Sequence, residues 1–426
     1  MKKRTAAMVI SIVAITTCVI IAACTKDTGF IKMQIYTPVY KSSGAVRAEI
    51  STGAPQAIAS EGKLFLIGHY IFMSEPGKGI HIIDNSNPSS PVNKAFISIP
   101  GNLDVSVKGN TLYADCYNDL LVIDVSNIEH ISCKTYLHNI FPDRAVILGA
   151  ALPEGQVIVD WKVRDTSADL AVSRGQGIWK NNEYYYSGPP VTWLSDQTAF
   201  YAAASGPKSN TGVAGSNSRL AIINNHLYAA SDYTLASINI SNPASPQVEN
   251  IGSSGIDAQT IFPFNNKLFI GGSHGITIFS ADNASAPVEE GSFGHYCCWD
   301  PIIADDTTAY ITLHTGNMCD GTIDELDVLD VSDISNPKSI RNYTLTSPKG
   351  LWKDGNLLFI CDGPELKIFN AAQPANIMLL KEIALADTYD VICYNNIAYV
   401  SAKGGLYQFD YSNLNAIKQL SKISLP

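Results

Sequence analysis

The sequence predicts an all-β fold, a β-propeller of about seven four-stranded blades with one long inserted loop. Three observations predict it. One short phrase returns seven times: Gly79-Ile-His-Ile-Ile-Asp84-Asn-Ser-Asn-Pro88, Leu121-Val-Ile-Asp124-Val-Ser-Asn127, Ala236-Ser-Ile-Asn239-Ile-Ser-Asn-Pro243, Gly275-Ile-Thr-Ile-Phe-Ser280, Leu326-Asp-Val-Leu-Asp330-Val-Ser332, Leu366-Lys-Ile-Phe-Asn370 and Leu406-Tyr-Gln-Phe-Asp410-Tyr-Ser-Asn413. An apolar–aromatic pair precedes each phrase: Leu64-Phe65, Leu112-Tyr113, Leu227-Tyr228, Leu268-Phe269, Ala309-Tyr310, Leu358-Phe359 and Ala398-Tyr399. Just before each pair sits turn chemistry, such as Gly109-Asn110, Asn265-Asn266 or Asn395-Asn396, residues that tolerate the positive φ of hairpin turns. A supersecondary unit repeated this often builds an array, not an ordinary single-core domain.

Taken from the N-terminus, the chain starts as a targeting segment. Lys2, Lys3 and Arg4 precede an apolar run, Ala6 to Ala23, that ends Ile21-Ala22-Ala23-Cys24. A basic start, an apolar core and small residues before the cleavage point read as a signal peptide over 1–23. The pattern resembles the lipobox of bacterial lipoproteins, which implies lipidation at Cys24. An uncleaved anchor helix is the rival reading. Either one places the rest outside the cytoplasm and tethers it to a membrane. Residues 24–50 read as an N-terminal tether carrying a candidate closing strand, and 51–426 as the propeller.

Each repeat reads as strand, tight turn, aromatic strand, loop, strand ending in the Asp, Asn or Ser anchor, Ser-Asn-Pro turn, outer strand: four antiparallel strands in about 40 residues, the size of a propeller blade. The anchor side chain is expected to bond the backbone of its own turn. From aromatic to anchor is 11 residues in five repeats, but 19 in the first and 20 in the fifth, where a loop, Ile71 to Lys78 or His314 to Glu325, is expected to have grown. Anchor spacings are 40, 115, 41, 50, 40 and 40. The value of 115 marks an insertion over 137–217 between the second and third blades. Part of it, Val157-Ile-Val-Asp160-Trp161, imitates an anchor phrase and leaves room for a degenerate eighth blade.

The Leu-Val-Ile-Asp-Val-Ser-Asn phrase at 121–127 resembles the LVIVD repeat. With the phrases at 79–88 and 405–413, and Phe359-Ile-Cys-Asp-Gly363, the chain is similar to LVIVD-repeat lipoproteins of bacterial cell surfaces over nearly all of 35–426. The resemblance implies a propeller on the cell envelope and brings no defined activity. The fourth and sixth repeats depart from it, with Ser280 and Asn370 at the anchor.

Charge excludes some partners. Without Lys2, Lys3 and Arg4 the mature chain has 26 basic against 39 acidic side chains, a net of −13, with no basic cluster. Nucleic acid is not an expected partner. Of nine cysteines, Cys18 and Cys24 belong to the N-terminal segment; seven remain, so at least one thiol stays unpaired in a monomer.

Three candidate sites stand out, all on the face onto which the insertion and the long loops are expected to open. Counting nine residues back from each aromatic reaches the channel mouth: Gln56, Asp104, Arg219, Gly350 and Asp390, with Asp257 and Asp300 close by. Carboxylates around one opening would take a cation, calcium being the candidate, or a polar ligand oriented by Arg219. Alternatively each Asp accepts backbone N–H bonds at a strand start. The insertion's aromatics, among them Trp179, Tyr185 and Trp193, read either as a sugar or protein platform or as the insertion's own core. Cys298 and Cys319 fall on loops of one face and suit a disulfide; a metal site using His295, Cys297, Cys298, His314 and Cys319 is the rival, without a known zinc spacing. No catalytic motif is present, and no cofactor is expected beyond a bound calcium. The functional expectation is a lipid-anchored extracytoplasmic module that binds or scaffolds an envelope protein or glycan. The alternative is a metal-assisted hydrolase or lyase working through Asp104, Asp390 and Asp300. A passive structural subunit of a larger surface complex is the third reading.

Overall fold

The computed structural model describes residues 31–60, 62–145, 149–150, 152–168, 177–187, 213–216, 218–272, 274–295, 301–314 and 323–424. The signal segment, Cys24, Trp193, Cys297, Cys298, Asp300 and Cys319 lie outside them. Among the described residues no helix is long and apolar enough to cross a membrane. The chain divides into two compact units, residues 40–159 with 193–426, and residues 1–39 with 160–192.

The larger unit holds seven antiparallel sheets, one per phrase. The second blade is representative. Val105–Lys108 is innermost, followed outward by Thr111–Cys116, Asp119–Asp124 and Ser132–Leu137. Inner strands pack on one another in ring order, and the last, Thr388–Tyr394, packs against strand Val213–Ala214, which is paired with the first blade's Leu64–Ile67. The ring therefore closes with seven blades. The Asp160 phrase lies on Gln156–Ala168, a strand of the four-stranded sheet it forms with Ile31–Ser42, Glu183–Tyr186 and Gly177–Lys180. The strand expected to close the propeller from the N-terminal tether lies in that sheet instead.

Local chemistry explains the repetition. Anchor carboxylates accept from the turn that follows: Ser86 N and Oγ lie 2.9 and 2.6 Å from Asp84 Oδ1, and Ser126 N lies 2.8 Å from Asp124 Oδ1. The Ser126 hydroxyl and backbone amide pull the Asp124 carboxyl down to about 2. The hairpin turns use Asn224, Gly355 and Asn395 at φ 53°, 57° and 52°, values that suit asparagine and glycine. The third blade's aromatic reaches the outer turn of the fourth. Tyr228 Oη donates to Ala284 O at 3.1 Å. Between blades the apolar side chains form continuous clusters, one running from Phe262 through Tyr310 to Leu358. Burial of these rings, with Tyr113, Tyr228, Tyr310, Phe269 and Phe359 all under 2% exposed, supplies the main driving force.

The first blade corrects the sequence reading. Leu64–Ile67 is its inner strand, not its aromatic strand; Gly68 and His69 form the turn, and Phe72 in Tyr70–Glu75 is the aromatic. Phe72 pairs with Ile82 and so stands 12 residues before Asp84, close to the 11 of the other blades. The expected long loop Ile71 to Lys78 is therefore a strand and a hairpin. This blade also has six strands rather than four, with Val213–Ala214 added inside and Ser51–Gly53 outside.

Candidate functional site

Moving the first aromatic to Phe72 also moves the channel-mouth position. Nine residues back stands Lys63, not Gln56. Gln56 is exposed, and its carbonyl accepts from Asn93 Nδ2 at 2.9 Å. Lys63 is 1% exposed and pairs with Asp104, also 1% exposed, at 2.7 Å. The same counting rule finds Lys63 once the first repeat is in register.

What surrounds Asp104 and Asp390 is a short piece of the chain's own backbone. Residues 213–216 and 218 run across the centre of the ring into the third blade. Val213 and Ala214 pair with Leu66 and Phe65 of the first blade. Ser216 Oγ donates to Asp390 Oδ1 of the seventh blade at 3.1 Å and accepts from Leu351 N of the sixth at 2.8 Å. Ser218 Oγ lies 3.1 Å from both Asp104 oxygens of the second blade, and Ser218 O accepts from Ile261 N of the fourth at 2.7 Å. Ser216 and Ser218 are fully buried. Small side chains and hydroxyls suit a segment that must thread between inner strands and satisfy their polar ends.

Asp104 is thereby committed to internal bonds. Its Oδ2 accepts from Lys63 Nζ and, at 2.6 Å, from Arg219 N; its Oδ1 accepts from Val105 N at 2.8 Å. Burial lowers the Lys63 pKa, and the Asp104 carboxylate opposes that shift. The Arg219 guanidinium turns away to Asp232, at 2.8 Å. Beside them Asp115, fully buried, takes the amides of Leu103 and Asp104 at 2.7 and 2.8 Å and pairs with Arg144. Asp115 and Arg144 were not legible as partners, because Arg144 comes from the inserted segment.

At the seventh blade Asp390 is 2% exposed and lies over Gly350, where an added Cβ would stand 2.0 Å from its Oδ1. Two predicted mouth positions are thus complementary: the glycine makes room for the carboxylate. Asp257 is half-buried, its carboxylate against Gly272 of the fourth blade. Asp300 lies outside the described residues, as do the cysteines of the expected disulfide. Cys116, Cys133, Cys361 and Cys393 are free thiols, and burial pushes Cys116 up to about 12. Among the described residues no three His, Cys, Asp or Glu side chains gather as a metal site.

The smaller unit carries the other candidate surface. Its strands Gly177–Lys180 and Glu183–Tyr186 form a hairpin with Trp179 opposite Tyr184 and Gly177 opposite Tyr186. Strand alternation places Trp179, Tyr184 and Tyr186 on one face. Trp161 joins them, its ring 6.2 Å from Trp179; Trp179 stands 5.5 Å from Tyr184, and Tyr184 stacks on Tyr186 at 6.3 Å and 15°. Trp179, Tyr184 and Tyr186 are half-buried, whereas Trp161 is buried. Gly177 matters here: a Cβ would fall 2.1 Å from the Tyr184 ring, which lies across the glycine backbone. Tyr185, expected among the contact aromatics, points to the opposite face. Its hydroxyl donates to Glu183 at 3.0 Å, and Arg164 grips the same carboxylate with two 3.0 Å bonds.

Comparison with known proteins agrees with this architecture. A model of the LVIVD repeat matches residues 62–96, 102–135, 214–251 and 322–345. No curated protein matches the chain. Among solved structures, the periplasmic gluconolactonase PpgL of Pseudomonas aeruginosa superposes with a TM-score of 0.51 at 12% identity, over 85% of this chain and 96% of that one. A protein from Lactobacillus plantarum gives 0.49 at 10% identity, over 84% and 98%. Sqt1 of Saccharomyces cerevisiae gives 0.49 at 8% identity, over 88% and 87%. At these identities the likeness concerns the fold alone.

Proposed function

We propose that this LVIVD-repeat β-propeller is an extracytoplasmic, lipid-anchored binding module that takes an envelope glycan on the aromatic face of its smaller sheet. The observation that carries the reading is the ladder Trp161–Trp179–Tyr184–Tyr186, four rings in succession drawn from three strands of one sheet, the last three of them half-buried. Rings held by a sheet present flat apolar area at little entropic cost, and sugar rings offer C–H faces of matching size. The basic start, apolar run and Cys24 support tethering outside the cytoplasm.

The hydrolase or lyase alternative draws less support. Asp104 and Asp390 are 1% and 2% exposed and are bonded to Lys63, Ser218, Ser216 and backbone amides. A general acid or base must reach a substrate proton, and both carboxylates face the chain's own central segment.

The test is a tryptophan-fluorescence titration of the purified chain with fractionated envelope polysaccharides. Saturable quenching that drops at least tenfold in affinity in Tyr184→Ala, with Tyr185→Phe unaffected, is the expected result. Equal binding by wild type and Tyr184→Ala would remove the ladder from the site.

A further inference from the structure

The first and seventh blades are neighbours in the ring and far apart in sequence, and their seam holds a second site. A buried amide pair closes it: Gln408 Nε2 donates to Asn85 Oδ1 at 2.8 Å, and Asn85 Nδ2 lies 3.1 Å from both Gln408 Oε1 and Tyr399 Oη. Beside this clasp the seam opens into a crevice of about 250 Å³. Its walls include Tyr70 and Ser86 from the first blade and Tyr394 and Tyr399 from the seventh.

Three features define what fits. The lining is apolar, Tyr, Asn and Ser side chains with one histidine, His69, and no Asp, Glu, Lys or Arg, so no permanent counter-charge awaits a charged ligand. The volume lies just below the roughly 300–1,000 Å³ of pockets for drug-sized ligands, room for one sugar-sized ring. Tyr399 lines the crevice, is 4% exposed and accepts from Asn85 Nδ2, and its phenol keeps one O–H donor of its own. Burial holds that phenol protonated, pushing it up to about 12. A phenol donor in a crevice wall suits an acceptor brought from outside the protein.

We propose that the seam between the first and seventh blades binds a single uncharged, hydroxyl-bearing ring, a neutral monosaccharide unit, which accepts from Tyr399 and packs on Tyr70 and Tyr394. The site is independent of the aromatic ladder in the smaller unit. A ligand here touches both ends of the ring, so binding stabilises its closure and raises the melting midpoint.

The experiment is thermal melting of the purified full-length chain with free neutral hexoses, their methyl glycosides, N-acetylhexosamines and uronic acids, in wild type, Tyr394→Ala, Tyr399→Phe and Trp179→Ala. The expected result is a saturable rise with at least one neutral sugar that weakens tenfold or more in Tyr394→Ala and in Tyr399→Phe and persists in Trp179→Ala, the variant that reads out the ladder's own share. A methyl glycoside that matches its free sugar identifies a glycan end as the source; a free sugar that acts alone identifies a soluble ligand. No shift with any neutral sugar overturns the proposal. So does a shift that survives both seam substitutions, one abolished only by Trp179→Ala, or one confined to uronic acids.

Discussion

Replacing Asp104 by alanine is the sharpest perturbation of the core. It leaves the Lys63 ammonium, 1% exposed, without its 2.7 Å partner. It also strips acceptors from the amides of Val105 and Arg219 and from the Ser218 hydroxyl. Breaking one side of a buried ion pair costs about 3–5 kcal/mol, and each orphaned buried donor adds roughly 1–3 kcal/mol. Asp104→Ala should therefore lose at least about 5 kcal/mol. Lys63→Met should lose less, about 3 kcal/mol, because Asp104 keeps two amides and a hydroxyl. The double variant should fall well short of the sum, since its second change removes a charge already stranded. Urea denaturation followed by circular dichroism measures all three. A loss under about 1 kcal/mol for Asp104→Ala, or strict additivity, would refute a dry, interlocked centre.

Other predictions follow from single sites. Burial, helped by Glu325 and opposed by His295, raises the Asp327 carboxyl to about 7. A free carboxyl titrates near 4, so the folded protein holds a proton there that the unfolded chain has released. Stability should fall as pH rises from about 4 through 7, by up to roughly 1.4 kcal/mol per unit, and Asp327→Asn should flatten that slope in urea melts at pH 5 and 8; an unchanged slope contradicts the assignment. Gly350→Ala drives a Cβ to 2.0 Å from Asp390 Oδ1 and 2.7 Å from its Cα, and should cost about 1–3 kcal/mol; an unchanged stability would contradict this close approach. Gln408→Ala strands the buried Asn85 amide, a loss of about 1–3 kcal/mol, and limited proteolysis should then cut the first–seventh seam before any other; unchanged cleavage would show that the clasp does not hold the ring.

Much of the fold was legible because the signal was local and repeated. Alternating apolar strands, an Asp or Asn bonding its own turn and Asn-rich hairpins recur at nearly fixed spacing, and all are short-range effects. The first blade was misread because Leu64-Phe65 imitates the apolar–aromatic pair and Glu61-Gly62 imitates the turn. The true turn, Gly68-His69, lacks the asparagine of its counterparts. Asp104 and Asp390 were found by counting, but their partners were not. The central segment is a run of small residues without periodicity, and its bonds to Asp104 and Asp390 span 114 and 174 residues. The aromatic ladder could have been sorted from the insertion's other rings by strand alternation, which puts 184 and 186 together and 185 opposite. Trp161 joins that face from another strand.

The most direct test of the account is hydrogen–deuterium exchange of the whole chain with and without a bound envelope polysaccharide fraction. The account predicts new protection over 177–186, while amides at 104–105, 219 and 351, already held by Asp115, Asp104 and Ser216, exchange slowly in both states. Fast exchange at those amides in the free protein, with ligand-induced protection there and none at 177–186, would contradict it and return the binding site to the channel mouth.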